Sequence, residues 1–309
     1  MQATINSEIR FKGIGLHSGK VSKMTLIPAG INHGIWFKRV DIINSNNMIE
    51  AIYSNVNDKP LCTQLENECG ISVSTVEHLM ASLAGCGIQN VLIELTSDEV
   101  PILDGSSKSF VEAILKSGIK KQSAKQFAVK ILSLVEINHQ GAYASLSPAE
   151  SLEMDFSIDF DEEAIGKQFK SLNMANGAFV RELSSSRTFC RKIDVDEMHA
   201  RGLALGGSYD NAIVFDNGHV LTPGGLRYYD EAVRHKMLDA VGDLTLAGMP
   251  IIGRYVGVRS GHMVTHRLLR KLFAEPSYFK VVECSNDQLN TLPGFGVTHL
   301  DIEAGQSFI

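Results

Sequence analysis

The chain has 309 residues, enough for one large domain or two ordinary domains, each with its own core. Hydrophobic residues make up 44% of it and charged residues 21%, which excludes disordered, collagen-like and coiled-coil proteins. The formal net charge of -6 argues against a nucleic-acid-binding protein, because such a protein neutralises phosphates with a basic face.

The N-terminal segment and the cysteines indicate the compartment. The segment MQATINSEIRFKG lacks the basic and apolar regions of a signal peptide, and no apolar run approaches the ~20 residues of a membrane helix. The five cysteines are scattered and contain no CxxC pair, which is typical of free thiols in a reducing compartment. We therefore expect a cytoplasmic protein without stable membrane insertion.

The predicted elements fall into two groups. In the first, EIRFKGIGL, KMTLIPA and NVLIEL predict strands, and residues 74–84 and 109–116 predict helices. The polar segment 117–126 predicts an inter-domain linker. In the second group, FAVKILSLVEI, LEMDFSIDF and IIGRYVGV predict strands, and a helix is expected from about Asp230 to Leu246. We predict two α+β domains, residues 1–120 and 127–309.

A short internal repeat links the two groups. The segments VEHLMASLAG, from Val76, and VRHKMLDAVG, from Val233, agree at four of ten positions. Such a match arises by chance about as readily as by duplication, but a histidine stands at the same place in both copies. If the two domains pack helix against helix, His78 and His235 meet at the interface, where small-molecule sites tend to lie.

The second copy carries a polar stripe, because His235, Asp239 and Asp243 are spaced by four residues on one helix. A solvated surface pair is the ordinary interpretation of His235 and Asp239. The same pair is also a bidentate metal clamp, and His78 would complete a His2Asp set with a fourth position open to water, as in catalytic zinc sites. Glu77 points elsewhere on its helix than His78 and could act as a general base.

His262 lies in the sequence RSGHM, which predicts a turn after the strand IIGRYVGV. A histidine in a glycine-containing loop is usually structural or solvent-facing. If Asp243 contacts it, its protonated form is favoured and its ring is held, which suits a general acid.

Several motifs, in order along nearly the whole chain, resemble those of the UDP-3-O-acyl-N-acetylglucosamine deacetylases, the enzymes of the committed step of lipid A biosynthesis in Gram-negative bacteria. They are GIGLHSGK (Gly13 to Lys20), STVEHLMASLAG (Ser74 to Gly85), EVPILDGS (Glu99 to Ser106), SRTF (Ser186 to Phe189), GLALGGS (Gly202 to Ser208), VRHKMLDAVGDL (Val233 to Leu244) and SGH (Ser260 to His262).

The resemblance implies a duplicated fold, in which two β-α-α-β domains with small inserts pack their helices against each other between outer sheets. It implies hydrolysis of the sugar acetamide to acetate and a free 2-amine. It also implies one catalytic zinc ion, or Fe²⁺ in the cell, held by His78, His235 and Asp239. Four further residues receive catalytic roles from the resemblance: Glu77 as base, Thr188 as oxyanion donor, His262 as acid, and Asp243 as the group that holds His262.

The implied substrate is a UDP-sugar carrying an acyl chain, bound by a monomer that is cytoplasmic and peripheral to the inner membrane. Lys236 is assigned to the sugar and phosphate, and Phe160 to the uracil ring, although Phe160 also suits a core aromatic. An insert of about residues 190–215 is expected to form an acyl passage, in which Cys190 and Arg191 replace the glycine and apolar residue that we expect in the family. The other implied substrate-binding residues are Leu16, Cys62, Phe189, Leu203, Ala204, Gly207 and Ser208.

Two other functions are compatible with these residues. One is a different zinc amide hydrolase, such as a peptidase or another sugar deacetylase. The other is a non-catalytic protein that binds a nucleotide sugar or a metal.

Overall fold

The computed structural model describes residues 1–306, with side chains to residue 303. Its strands are β1 Ala3–Ile5, β2 Ile9–Ile14, β3 Val21–Pro28, β4 Ile35–Arg39, β5 Met48–Glu50, β6 Val56–Asn57, β7 Gln64–Glu66, β8 Ser72–Ser74, β9 Val91–Leu95, β10 Ile119–Lys121, β11 Phe127–Ile131, β12 Val135–His139, β13 Ala142–Ser147, β14 Leu152–Asp159, β15 Lys167–Asn173, β16 Phe189–Arg191, β17 Ile213–Asp216, β18 His219–Val220, β19 Ile251–Val258 and β20 Phe279–Glu283. Its helices are α1 Glu77–Gly85, α2 Lys108–Ser117, α3 Lys192–Ala200, α4 Glu231–Thr245, α5 His262–Ala274, α6 Asn286–Thr291 and α7 Leu300–Gln306. None of these helices has the length and apolar character needed to cross a bilayer.

The first half of the chain is built on a five-stranded sheet with the order β2-β3-β9-β4-β5. In β9 the residues Val91, Ile93 and Leu95 are buried and alternate with less buried residues, as expected for a strand with one face on a core. Strand β9 is antiparallel to β3 and parallel to β4. A parallel neighbour requires a crossover connection, and α1 lies on the segment that leads back to β9.

The second half repeats this arrangement around β19. Strand β19 is antiparallel to β13 and parallel to β14, and β12 and β15 extend the two sides of the sheet. Helix α4 directly precedes β19, as α1 precedes β9. The ten-residue sequence repeat therefore coincides with a repeat of topology, and the predicted α+β fold is confirmed.

Helices α1 and α4 pack against each other, and both are buried on nearly every face. The approach is closest at Gly242, where an added β-carbon would lie 2.1 Å from the backbone oxygen of Glu77. Real β-carbons do not come so close to another atom, so this crossing requires glycine at position 242. Gly85 has a similar role on α1, because a β-carbon there would lie 2.0 Å from the ring of Phe179.

Two local predictions differ from the structure. The segment FAVKILSLVEI forms two strands, β11 and β12, because the chain turns at residues 132–134, where Leu132 and Leu134 are exposed. The predicted linker 117–126 contains β10, which pairs with β1 in a separate two-stranded sheet. Neither the exposed leucines nor the short polar strand shows the alternation of apolar and polar residues from which strands are predicted. The division into domains 1–120 and 127–309 stays a prediction.

We expect Gly242→Ala to destabilise the protein by about 1–3 kcal/mol or more, because overpacking forces α1 and α4 apart. The measurement is the midpoint of thermal or urea unfolding. Gly30→Ala is the matched control, since a β-carbon added at position 30 would have no atom within 4 Å. A Gly242→Ala protein as stable as the control would contradict the packing argument.

Candidate metal centre and active site

His78 enters the site from the first half of the chain. It is the second residue of α1, its side chain is buried, and the hydroxyls of Ser82 and Ser107 donate hydrogen bonds to its backbone carbonyl. Its ring meets that of His235 edge to face, with 5.0 Å between the ring centroids. The close crossing of α1 and α4 therefore brings the two repeat histidines together.

His235 and Asp239 lie one turn apart on α4 and are 3% and 5% exposed. The interpretation of this pair as a solvated surface pair is wrong, because the stripe faces α1 rather than solvent. Nδ1 of His235 lies 3.1 Å from the carbonyl oxygen of Ser186. A carbonyl only accepts, so Nδ1 carries the hydrogen and Nε2 presents a lone pair to the site.

The three side chains form a candidate metal-ligand set, called the ligand set below. One atom each of His78, His235 and Asp239 lies within 4.8 Å of the others. Oδ1 of Asp239 is buried 3.3 Å from Nε2 of His235 and 3.5 Å from Nε2 of His78, yet it accepts no hydrogen bond from the residues that the structure describes. Buried polar atoms are normally bonded, so the convergence of acceptor atoms indicates a cation, and two nitrogens with one carboxylate oxygen suit zinc.

The electrostatics of the set favour metal ligation. Burial lowers the pKa of His235 to about 3, so its imidazole is neutral at physiological pH. Burial acts to raise the pKa of Asp239, but His235 and Lys236 hold it well below its usual value. Metals bind neutral imidazole and ionised carboxylate, which are the forms that this environment supplies.

Glu77 and His262 lie beside the ligand set and face each other. Nε2 of His262 is 3.6 Å from Oε1 of Glu77 and 3.9 Å from Oδ2 of Asp239. Burial raises the pKa of Glu77. Burial opposes the charge on His262, but Asp243 and Glu77 together raise its pKa to about 9. A carboxylate with a raised pKa and a charged imidazole are suited to act as a base and an acid.

Asp243 contacts Nδ1 of His262, the ring nitrogen that does not face Glu77. Its Oδ2 accepts a hydrogen bond from Nδ1 of His262 at 2.8 Å. Its side chain is 1% exposed, and the histidines around it hold its pKa below the usual value although burial acts to raise it. His262 begins helix α5, directly after Gly261, so it stands at a helix start rather than in the predicted turn.

A cavity of about 780 Å³ opens onto these groups. The predicted residues in its wall are Leu16, Glu77, His78, Phe160, Thr188, Phe189, His235, Lys236, Asp239 and His262. Phe160 both lines the cavity and packs against the core, with its ring 5.6 Å from that of Phe189. Lys236 donates a hydrogen bond to Oδ2 of Asp239 at 2.8 Å. Backbone hydrogen bonds to Gly105 and Ile213 hold Thr188 in the wall.

The structure does not bring five other predicted residues into the cavity wall: Cys62, Leu203, Ala204, Gly207 and Ser208. Cys62 is buried, and burial raises the pKa of its thiol to about 12. Ala204 lies against the motif GIGLHSGK, since its backbone N–H reaches Nδ1 of His17 at 3.4 Å. From the insert, the cavity is lined by Cys190 and Arg191 and by residues of α3. Arg191 forms two hydrogen bonds with Asp194 at 2.7 and 2.8 Å.

Three residues of the site do not follow from the sequence analysis. His17 lines the cavity, and its Nε2 is buried without a hydrogen-bond partner among the described residues. It stands within GIGLHSGK, one of the motifs that carry the family resemblance, so the sequence offered a reason to select it. His266 shares a helical face with His262, a spacing that a helix beginning at His262 would have made visible. Thr63 bonds Asp243 through its hydroxyl, and nothing in its local sequence indicates this.

The chain is similar to known proteins of one enzyme family. Residues 2–274 match the family model of UDP-3-O-acyl N-acetylglycosamine deacetylase. The chain is 42% identical over 283 residues to UDP-3-O-acyl-N-acetylglucosamine deacetylase of Haemophilus influenzae strain PittEE, covering 91% of this chain and 92% of the relative. It is 42% identical over 289 residues to the enzyme of that name from Pasteurella multocida, covering 93% and 94%. The Shewanella frigidimarina enzyme is 40% identical over 283 residues, covering 91% and 92%.

We expect zinc to stabilise the protein through the three-residue ligand set. A ligand at about 100 times its dissociation constant stabilises the folded state by about 2.7 kcal/mol, so zinc should raise the unfolding midpoint of the chelated protein. His235→Gln should abolish both this shift and the bound zinc, measured by elemental analysis. His199→Gln, at an exposed position, is the control. Tight stoichiometric zinc in His235→Gln would contradict the assignment.

Proposed function

The chain belongs to the UDP-3-O-acyl-N-acetylglucosamine deacetylase family, and on this premise we propose that it hydrolyses the acetamide of UDP-3-O-acyl-N-acetylglucosamine. The products are acetate and the free 2-amine, in the committed step of lipid A biosynthesis. The supporting observation is the buried set of His78, His235 and Asp239 at the cavity, with Glu77 and His262 beside it.

We propose that the metal is zinc, with Fe²⁺ as an alternative in the cell, held by His78, His235 and Asp239. The support is the donor set of two imidazole nitrogens and one carboxylate oxygen, with the unpartnered oxygen of Asp239 at its centre. When bound, such an ion supplies Lewis acidity, which lowers the pKa of a water toward ~7 and polarises a carbonyl oxygen.

Glu77 is the general base. Its Oε2 accepts a hydrogen bond from the backbone N–H of Thr63 at 3.1 Å, which fixes the carboxylate and leaves Oε1 toward the cavity. Oε1 takes the proton from the water that attacks the acetamide carbon. Because Glu77 is buried beside the ligand set, the transfer needs no rearrangement of the helix.

His262 is the general acid. Its Nδ1 donates to Asp243, so its Nε2 faces the cavity near Glu77. Nε2 gives a proton to the departing amine nitrogen, which otherwise leaves poorly. Asp243 keeps the ring in this orientation and stabilises its charge.

Thr188 donates to the oxyanion that develops on the acetamide oxygen. Its hydroxyl has no hydrogen-bond partner among the described residues, while its backbone is held on both sides by Gly105 and Ile213. A free donor on a fixed backbone is preorganised for this role, and one such donor contributes on the order of 10²- to 10³-fold to the rate.

The cavity suits a nucleotide sugar. Its volume of about 780 Å³ is in the range of small-molecule sites. Phe160 offers an aromatic face to the uracil, and Lys236, Lys59 and Arg259 offer positive charge to the sugar diphosphate. The acyl chain follows the apolar wall at Leu16 and Phe189, where it gains roughly 0.8 kcal/mol per buried CH₂.

For the remaining residues predicted to bind substrate, which do not line this cavity, substrate contact stays a prediction; they are Cys62, Leu203, Ala204, Gly207 and Ser208. We propose further that the protein works as a monomer in the cytoplasm, at the inner face of the inner membrane of a Gram-negative bacterium. An acylated substrate favours that place, because each buried CH₂ of its chain attracts it to lipid.

We expect Glu77→Gln to lower turnover by about 10²- to 10⁴-fold while zinc stays bound, because the base is lost but the ligands are not. Acetate release from the UDP-sugar is followed by mass spectrometry, before and after chelation and zinc addition. Glu94→Gln, on a carboxylate that pairs with Lys38, is the control. Full turnover in Glu77→Gln, or cleavage of peptides without deacetylation, would contradict the proposal.

The ion pair of Arg191 and Asp194 in the cavity wall should limit the acyl chain. Arg191→Leu replaces a charged wall with an apolar one, so kcat/KM should rise for longer acyl chains relative to shorter ones. The measurement is this ratio for two substrates that differ in chain length. Lys192→Leu, at the exposed neighbouring position, is the control, and equal ratios in all three proteins would count against the wall assignment.

A further inference from the structure

The carboxylate of Asp243 is held on both of its edges. Nδ1 of His262 lies 2.8 Å from Oδ2. The hydroxyl of Thr63 lies 2.6 Å from Oδ1, and Nε2 of His266 lies 3.2 Å from the same oxygen. Oδ2 therefore contacts His262, while Oδ1 is held by Thr63 and His266. The hydroxyl oxygen of Thr63 also lies 3.2 Å from Nδ1 of His262, so Thr63 contacts both members of the Asp243–His262 pair.

The directions of these hydrogen bonds follow from the donors available. An ionised carboxylate only accepts, so the hydroxyl of Thr63 gives its single hydrogen to Oδ1 of Asp243. Nε2 of His266 lies 3.1 Å from that hydroxyl oxygen and 3.2 Å from Oδ1. Nε2 must therefore carry a hydrogen to bond either oxygen, and His266 acts as a donor in this cluster.

Thr63 also touches the base. Its backbone N–H donates to Oε2 of Glu77, and the other oxygen of Glu77 lies 3.6 Å from Nε2 of His262. These contacts form a ring of residues. Thr63 contacts both Glu77 and Asp243, and His262 lies between Asp243 and Glu77. Since Thr63 precedes β7 and Asp243 lies on α4, this ring of contacts joins the two halves of the chain.

We propose that Thr63 and His266 are positioning residues of the deacetylation. Rotation of a carboxylate about its last bond is soft, and a single partner leaves it free to turn. With Oδ1 held by two donors, Oδ2 is aimed at His262, and Nε2 of His262 is aimed at the departing amine. The inference rests on the proposed function, and neither residue acts on the reacting atoms.

The test compares variants that lose the donors with variants that keep them. Thr63→Val keeps the shape but removes the hydroxyl, and His266→Leu removes the N–H. We expect each to lower kcat about 10- to 100-fold, with KM changed less than about twofold. Thr63→Ser and His266→Gln keep a donor and should recover most of the loss. The double variant Thr63→Val, His266→Leu should lose less than the product of the single losses.

Thr222→Val controls for the loss of a buried hydroxyl. The hydroxyl of Thr222 also makes two hydrogen bonds away from Asp243: it donates to the carbonyl of Ala212 and accepts from the backbone N–H of Val214. This variant should unfold at a lower temperature with unchanged kcat. A second readout uses no substrate: in nitrogen–proton spectra of the full-length zinc protein, the Nδ1–H resonance of His262 should weaken in Thr63→Val and His266→Leu, because that proton exchanges faster.

Native kcat and an unchanged His262 resonance in both Thr63→Val and His266→Leu would overturn the proposal. Equal losses in the donor-keeping variants would also overturn it, since they would indicate simple packing. If Thr63→Val does not fold, His266→Leu and His266→Gln carry the test. If the native protein releases no acetate but the resonance responds as expected, the proposed function fails and the positioning of His262 stands.

Discussion

The site depends on one steric fact, the absence of a side chain at Gly242. Only there can α4 approach the backbone of Glu77 closely enough for α1 to bring His78 against His235. Metal ligation needs atoms within a few ångströms, and neither helix has a complete set. The packing of two helices thus decides whether the chemistry is possible, before any ligand is present.

The contact of α1 and α4 also buries three carboxylates, and each of them is stabilised by hydrogen-bond partners. Glu77, Asp239 and Asp243 are all buried, and an isolated buried carboxylate is costly. Their partners are the backbone N–H of Thr63 for Glu77, Lys236 of the same helix for Asp239, and three side chains for Asp243. The polar cluster is therefore specific, because removing one member leaves another buried and unpaired.

The sequence alone predicted the features that depend on helical periodicity and on the spacing of residues along the chain. The helix of residues 231–245 and the stripe of His235 and Asp239 follow from spacing. The contact of the two repeat histidines was expected only if the two domains pack helix against helix, which the structure shows for α1 and α4. Thr63 could not be found in this way, because its role depends on a contact across 180 residues of sequence. The break at residues 132–134 was missed because exposed leucines imitate a buried strand. The wall of the insert was only partly anticipated, since which residues of an irregular segment face inward depends on tertiary packing.

The repeat of topology around β9 and β19 does not extend to every donor position of the candidate metal centre. Aligning α1 with α4 sets Ser82 opposite Asp239, and the hydroxyl of Ser82 bonds the carbonyl of His78 instead of facing the ligand set. The candidate metal centre is therefore asymmetric, because α1 contributes one donor and α4 contributes two.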